Sequence, residues 1–224
     1  MFITLEGIEG SGKSTQILHI FNFLNQLGLK CVMTREPGGT RIGGKIRSIL
    51  LDPESAAMNP AAELLLYTAD RVQHIQEIIL PAIEGGGIVI CDRYFDATLA
   101  YQGIARGLDM ALILDLHQLI CRNLKPDLTF LLDLSPKTGL QRAWHQLESG
   151  SRKDTESRFE KETLAFHERV RAGYLAIAGK EPERFRIIDA SQSQERVQAQ
   201  ILRVLESEIR EFMDPSAQDN RKCT

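Results

Sequence analysis

A chain of 224 residues, 43% hydrophobic and 25% charged, has the make-up of a folded globular protein, and its length favours one domain with or without insertions. A net charge of −3 gives no general reason to expect a nucleic-acid polymer as partner, and no run approaches the ~18 apolar residues of a membrane span. Cys31, Cys91, Cys121 and Cys223 are widely spaced with no C-x-x-C pair, which argues against a zinc site or disulfide framework and fits a reducing cytoplasm. The predicted elements then alternate. Residues 1–5 form an apolar run short enough for a buried strand, and it leads straight into a Gly-rich loop rather than a signal peptide. Residues 14–27 follow as a helix with Ile17, Leu18, Phe21, Leu24 and Leu27 on its apolar face, stopped by Gly28. A second strand spans 30–34, and Pro37, Gly38 and Gly39 force a loop after it. Helices are expected at 42–51 and, opened by Pro60, at 60–83, with Gly85-Gly86-Gly87 ending the second.

Ile88-Val89-Ile90-Cys91 reads as a buried strand running into Asp92-Arg93-Tyr94. Helix 111–121, strand 128–134 and helix 136–147 come next, then a polar loop at 148–157, helix 158–178, strand 185–188 and helix 194–213. Residues 214–224 read as a frayed polar tail, so the expected domain is 1–213 with a lid at 148–158. Alternating strands and helices predict an α/β fold with a parallel sheet of about five strands, whose ligands bind at the carboxyl ends of the strands.

Gly7-Ile8-Glu9-Gly10-Ser11-Gly12-Lys13-Ser14 carries the most specific chemistry. It fits the P-loop pattern G-x-x-x-x-G-K-[ST] in the strand–loop–helix setting that a P-loop requires. The glycines let successive N–H groups curl toward phosphate oxygens, the helix N-terminus adds partial positive charge, and Thr15 continues the same turn. Lys13 is placed to reach the β- and γ-phosphates, and Ser14 to hold Mg²⁺. Asp92, at a buried strand end, is a turn former in most settings but a metal-organising carboxylate beside a P-loop. Glu9 lies inside the loop, where an acid is repelled by phosphate unless it meets Mg²⁺ or a donor on the substrate; otherwise it is a solvated loop residue. Arg35, Arg47, Arg71 and Arg93 fall near the same sheet edge, and planar permanent charges there point to a second anion site and hence to a kinase. Arg152, Lys153 and Arg158 supply either a closing catalytic lid or a solvated charge run.

Several further motifs extend the reading: Phe2-Ile3-Thr4-Leu5-Glu6-Gly7, Thr34-Arg35-Glu36-Pro37-Gly38-Gly39-Thr40, Tyr67-Thr68-Ala69-Asp70-Arg71, Asp92-Arg93-Tyr94 with Ala100-Tyr101-Gln102-Gly103, and Phe166-His167-Glu168-Arg169-Val170. With these motifs the chain resembles the bacterial thymidylate kinases from Met1 to about Glu211. The resemblance implies a P-loop nucleoside-monophosphate-kinase fold with helices on both faces of the sheet. It also implies phosphoryl transfer from MgATP to dTMP for dTTP synthesis, and a cytoplasmic homodimer. By the same resemblance, Tyr67 stacks on thymine, Arg71 donates to a thymine carbonyl oxygen, and Thr98 and Gln102 bond the base edge. Tyr101 lies against the deoxyribose, Arg47 and Arg93 hold the acceptor phosphate, Pro37 lines that site, and Glu36 and Asp92 organise the magnesium and acceptor end. None of Ile8, Glu9, Gly10 and Ser11 is basic, so the chain is similar to the members whose lid supplies the catalytic charge. Ser157 departs from the Asp that often precedes the lid arginine. The rival readings are a kinase for dUMP or a nucleoside, and a non-catalytic P-loop sensor.

Overall fold

The structure, a computed structural model, describes residues 1–150 and 154–213. The predicted lid residues Arg152 and Lys153 and the predicted tail 214–224 lie outside the described residues. Strands β1 (Phe2–Glu6), β2 (Cys31–Arg35), β3 (Ile88–Asp92), β4 (Leu128–Asp133) and β5 (Phe185–Asp189) form one parallel sheet in the order β2-β3-β1-β4-β5. Every residue of β1 is buried, and so are Ile88 to Cys91 and Leu128 to Leu132. Strands flanked by others and covered on both faces have no solvent side, which is why these segments read as continuous apolar runs rather than alternating ones.

The chain crosses from β1 toward β2 on one side and from β3 over β1 to β4 on the other. Right-handed crossovers in opposite directions place helices on both faces and open a crevice at the switch point, outside the carboxyl end of β1. Register puts the functional strand ends level: Leu5 and Arg35 both pair with Asp92. The helices are α1 (Lys13–Gln26), α2 (Arg41–Leu51), α3 (Pro60–His74), α4 (Leu80–Glu84), α5 (Phe95–Thr98), α6 (Met110–Ile120), α7 (Pro136–Glu148), α8 (Leu164–Lys180) and α9 (Gln194–Met213). Local chemistry sets several starts: the side chains of Thr40, Asn59, Asp109, Ser135 and Thr163 each accept a backbone N–H in the first turn.

Three expectations change. The single helix expected at 60–83 is α3 joined to α4 through a π-helical segment, Ile75–Ile79. The helix expected from 158 starts at Leu164, because Thr163 caps it and Phe159 is drawn into ring contacts with Tyr101 and Phe166 instead. Residues 95–105, given no element from sequence, form α5 and a π-helical continuation, Leu99–Ala105. That insertion of extra backbone per turn is a form common at functional sites, and here it carries Tyr101 and Gln102.

Candidate active site

Beyond Glu6 the backbone turns through Gly7, Gly10 and Gly12 at φ of 138°, 68° and 95°, values that a residue with a side chain reaches only under strain. The loop is also close-packed. A Cβ on Gly10 would sit 2.1 Å from the Gly139 carbonyl oxygen, and a Cβ on Gly139 would sit 2.5 Å from that of Glu9. Glycine is therefore needed on both sides of the contact between the loop and α7. Gly12 caps α1 without a side-chain acceptor, so the helix offers its first N–H groups and positive dipole end to an anion. Lys13 folds back over the loop, its Nζ donating to the carbonyl oxygens of Gly7 and Ile8 at 2.9 Å each and to Ser11 Oγ at 3.3 Å. Burial, joined by the charge of Arg93, brings its ammonium down to about 8 against the pull of Asp92 and Glu9.

Ser14 Oγ donates to Asp92 Oδ2 at 3.3 Å, while Asp92 Oδ1 is buried with no hydrogen-bond partner. A hydroxyl beside a carboxylate with an oxygen to spare suits a hard oxygen-seeking cation. Among the described residues no cluster of three or more His, Cys, Asp or Glu could cage a metal unaided. Such a site fits Mg²⁺, which binds through one or two protein oxygens and takes its other ligands from phosphate and water. Glu9, the third predicted metal ligand, is engaged by basic and hydroxyl groups here: its Oε1 accepts from Arg93 Nη2 at 2.9 Å and from Tyr101 OH at 2.6 Å, and its Oε2 lies 3.2 Å from His167 Nδ1.

Arg93 is a non-glycine residue at φ 67°, the left-handed region, and it is held from both ends. Its Nη1 donates to Tyr174 OH at 3.0 Å, Tyr174 OH donates to Glu6 Oε2 at 2.7 Å, and Glu6 Oε1 accepts the N–H of Tyr94, the next residue, at 2.7 Å. The guanidinium lies 4.9 Å over the Tyr101 ring. Burial would raise the Glu9 carboxyl, but Arg93, His167 and Lys13 hold it well below the usual carboxylate range. Glu6 goes the other way: burial and the nearby Asp96 push it up to about 8 despite Arg93 and the Tyr174 and Tyr94 bonds. A charged carboxylate thus faces the cavity beside a raised one beneath it.

On the far side Glu36 forms a buried pair with Arg71, Nε to Oε2 at 2.9 Å, and its Oε1 meets His74 Nδ1 at 2.9 Å. Arg71 Nη2 donates to Thr98 Oγ1 at 2.9 Å and to the Tyr94 carbonyl oxygen at 3.2 Å. The Glu36–Pro37 peptide is cis, and the turn after it is held by Asp70, whose Oδ1 accepts the Gly38 N–H at 3.0 Å. Burial, then the charge of Glu36, raises the Asp70 carboxyl to about 6.

One cavity of about 620 Å³ lies between the loop and this far side. It collects Glu9, Gly10, Ser11, Gly12, Lys13, Ser14 and Thr15 at one end, Glu36, Pro37, Arg47, Tyr67, Arg71, Thr98, Tyr101 and Gln102 at the other, and Asp92 and Arg93 between them. Of the predicted residues described, Gly7 and Ile8 form the root of the loop rather than the lining, and Arg158 is also absent from it. Arg158, expected as a lid catalyst, is buried with its Nη2 2.5 Å from Glu63 Oε2 and its Nη1 on the Leu50 carbonyl oxygen. Here that guanidinium is engaged by a buried carboxylate and stands outside the cavity. The described part of the lid contributes Glu156 instead, which pairs with Arg47 at 2.7 Å.

Sequence reasoning missed Glu6, Glu63, Gln146, Glu156 and Phe159. Glu6 and Glu63 are both fully buried, a placement that costs a carboxylate dearly unless it is paired; of the two Glu6 carried a signal, as an acid directly after the apolar run of residues 1–5. Gln146 and Phe159 carried none.

A match to the thymidylate kinase family spans residues 5–201. The chain is 52% identical over 206 residues to a thymidylate kinase of Desulfosudis oleivorans, covering 92% of this chain and 96% of that protein. It is 55% identical over 202 residues to a thymidylate kinase of Desulforapulum autotrophicum, covering 90% and 89%. The crystal structure of thymidylate kinase from Ehrlichia chaffeensis superimposes with a TM-score of 0.72 at 34% identity, covering 92% of this chain and 98% of that one.

Proposed function

The chain belongs to the thymidylate kinase family, phosphorylating dTMP to dTDP with ATP, and from that premise we propose how its own residues carry the reaction. The observation that supports the reading is the single cavity with a P-loop at one end and a fork-and-ring set, Arg47, Tyr67, Arg71, Arg93, Tyr101 and Gln102, at the other. Two phosphate-binding groups in one cavity suit in-line transfer and give a nucleotide sensor no use for the second.

The loop N–H groups and Lys13 bind the ATP β- and γ-phosphates. Lys13 leaves the Gly7 and Ile8 carbonyl oxygens to do so. Arg93 and Arg47 hold the dTMP phosphate, Arg47 exchanging Glu156 for it. A phosphate oxygen of dTMP attacks the γ-phosphorus as the bond to the β,γ-bridging oxygen of ATP breaks, leaving ADP. The attacking oxygen is already anionic, so no protein base is needed, and the rate comes from positioning and charge. Ser14 and Asp92 are the residues that would hold Mg²⁺, which when bound neutralises phosphate charge. Tyr67 stacks on the base, Arg71 and Gln102 meet its edge, and Tyr101, fixed by Glu9, closes on the deoxyribose. The charge of Arg152 or Lys153 completes the lid.

We further place the enzyme in the cytoplasm as a homodimer formed from one kinase domain, 1–213, per chain. Helix α3 packs against both α2 and α6, and Ile42, Ile49, Leu65, Leu112 and Leu119 on these helices are exposed, apolar surface that a second copy would cover. No described helix is long and apolar enough to cross a membrane. The reading is tested by ADP release with MgATP and a panel of nucleoside monophosphates. dTMP should turn over fastest; preference for another base refutes the base assignment. Light scattering should give twice the chain mass, and Leu65→Glu should return it to one.

A further inference from the structure

Glu63 lies outside the cavity, yet it controls a side chain inside it. It is fully buried on α3. Its Oε1 accepts from Gln102 Nε2 at 2.8 Å and from Arg106 Nε at 3.3 Å, and its Oε2 accepts from Arg158 Nη2 at 2.5 Å and Arg106 Nη2 at 3.4 Å. Arg106 is held in turn by Glu162 at 2.6 Å. Two guanidinium groups supply the charge that a buried carboxylate needs, and such a carboxylate only accepts hydrogen bonds. Its neighbour Gln102 has an amide with one donating and one accepting end. The carboxylate takes the donating end, so the accepting end, Oε1, is the one left for the cavity that Gln102 lines.

We propose that Glu63 is a specificity-determining positioning residue: by capturing the Gln102 amide nitrogen it makes the cavity present an acceptor, selecting a pyrimidine that carries an N3–H over one whose N3 is a bare acceptor. This rests on the reading that Gln102 meets the base edge. Thymine offers N3–H between two carbonyl oxygens, so it donates to Gln102 Oε1 while Arg71 donates to a carbonyl oxygen. Cytosine reverses both positions. Its N3 would face the Gln102 oxygen, and its amino group would face a guanidinium that can only donate. The selection is therefore by unpaired polar groups in a closed site, which rejects more strongly than shape alone. Without Glu63 the Gln102 amide is free to turn over and satisfy cytosine.

The test is kcat/KM for dTMP and dCMP in wild type, Glu63→Gln, Gln102→Ala and the exchange variant Glu63→Gln with Gln102→Glu. Glu63→Gln should lower the dTMP:dCMP ratio about tenfold, the worth of one such hydrogen bond, while kcat at saturating dTMP falls much less. A merely structural defect lowers both acceptors alike and leaves the ratio at its wild-type value, which overturns the proposal. Gln102→Ala separates the two layers: a ratio that falls there but not in Glu63→Gln removes Glu63 from base selection, whereas an unchanged ratio in Gln102→Ala removes Gln102 from the base edge and the proposal with it. The exchange variant keeps the cluster's charge and again turns an accepting oxygen to the base, so its ratio should return toward wild type. It decides the question even if Glu63→Gln does not fold, because an exchange variant with the ratio of Gln102→Ala overturns the proposal.

Discussion

At the end of the cavity proposed for the phosphate donor, one uninterrupted stretch, Gly7 to Ser14, supplies backbone N–H groups, a lysine and a hydroxyl. At the acceptor end the groups come from separate segments: Glu36 after β2, Arg47 on α2, Tyr67 and Arg71 on α3, Arg93 after β3, Tyr101 and Gln102 beyond α5. The donor end works through backbone shape, and its glycines are fixed by contacts such as Gly10 against Gly139. The acceptor end works through side chains, three of them held by buried partners: Arg71 by Glu36, Arg93 by Glu9 and Tyr174, Gln102 by Glu63. Damage therefore spreads differently from the two ends. A change in the loop strikes phosphate binding directly, whereas a change at the acceptor end also releases a partner whose charge is then buried and unmatched.

The largest effect should follow Lys13→Ala, which removes the loop's one mobile charge. We expect kcat to fall about 10²–10³-fold or more, the scale for losing a charge-stabilising donor, with the circular dichroism spectrum unchanged. Retained turnover would break the assignment of the donor end. Arg93→Ala should come next, with kcat/KM for dTMP down about 10²-fold and KM for ATP little altered; here, unlike at Lys13, thermal stability should also drop, because Glu9 loses its main counter-charge. Equal stability in the two variants would erase the contrast between the two ends of the cavity.

A pH series sharpens the same point. The Glu9 carboxyl is held below its ordinary value of 4.5 in the folded protein, so the native state binds its proton less tightly than the unfolded chain does. The stability that this ionised group adds is therefore complete above about pH 4.5 and is lost as pH falls through its lower folded value. The stability difference between wild type and Glu9→Gln, measured by urea unfolding from pH 6 downward, where His167, which burial would lower but Glu9 raises, keeps its proton, should be flat to about pH 5 and shrink below about pH 4.5. A difference that grows on acidification would mean Glu9 is not held by positive charge. The smallest effect belongs to Glu156→Gln. The Arg47–Glu156 pair is partly exposed, 17% and 30%, and such pairs contribute only ~0.2–1 kcal/mol. Freeing Arg47 should tighten dTMP binding by no more than about fivefold, less so at high salt, as read by calorimetry.

Much of this protein was legible in its sequence because the governing interactions are local. Continuous apolar runs marked the buried strands, and a Gly-rich stretch between strand and helix marked the phosphate loop without reference to anything distant. The place of Asp92 at the end of a buried strand was legible in the same way, whereas its reading as a metal-organising carboxylate leaned on the P-loop far upstream. What the tertiary structure decided is which of many arginines, acids and rings meet. Arg93 and Glu9 are 84 residues apart, Glu6 and Tyr174 168 apart, and Arg158 and Glu63 95 apart. Sequence pattern left Arg158 between a closing lid and a solvated charge run, and folding placed it against Glu63; pattern gave 95–105 no element, and packing wound it into the helix that carries Tyr101 and Gln102. A buried charge must find its opposite wherever the fold brings one within reach, and that choice is made by the packing of β-strands and helices, not by neighbours along the chain.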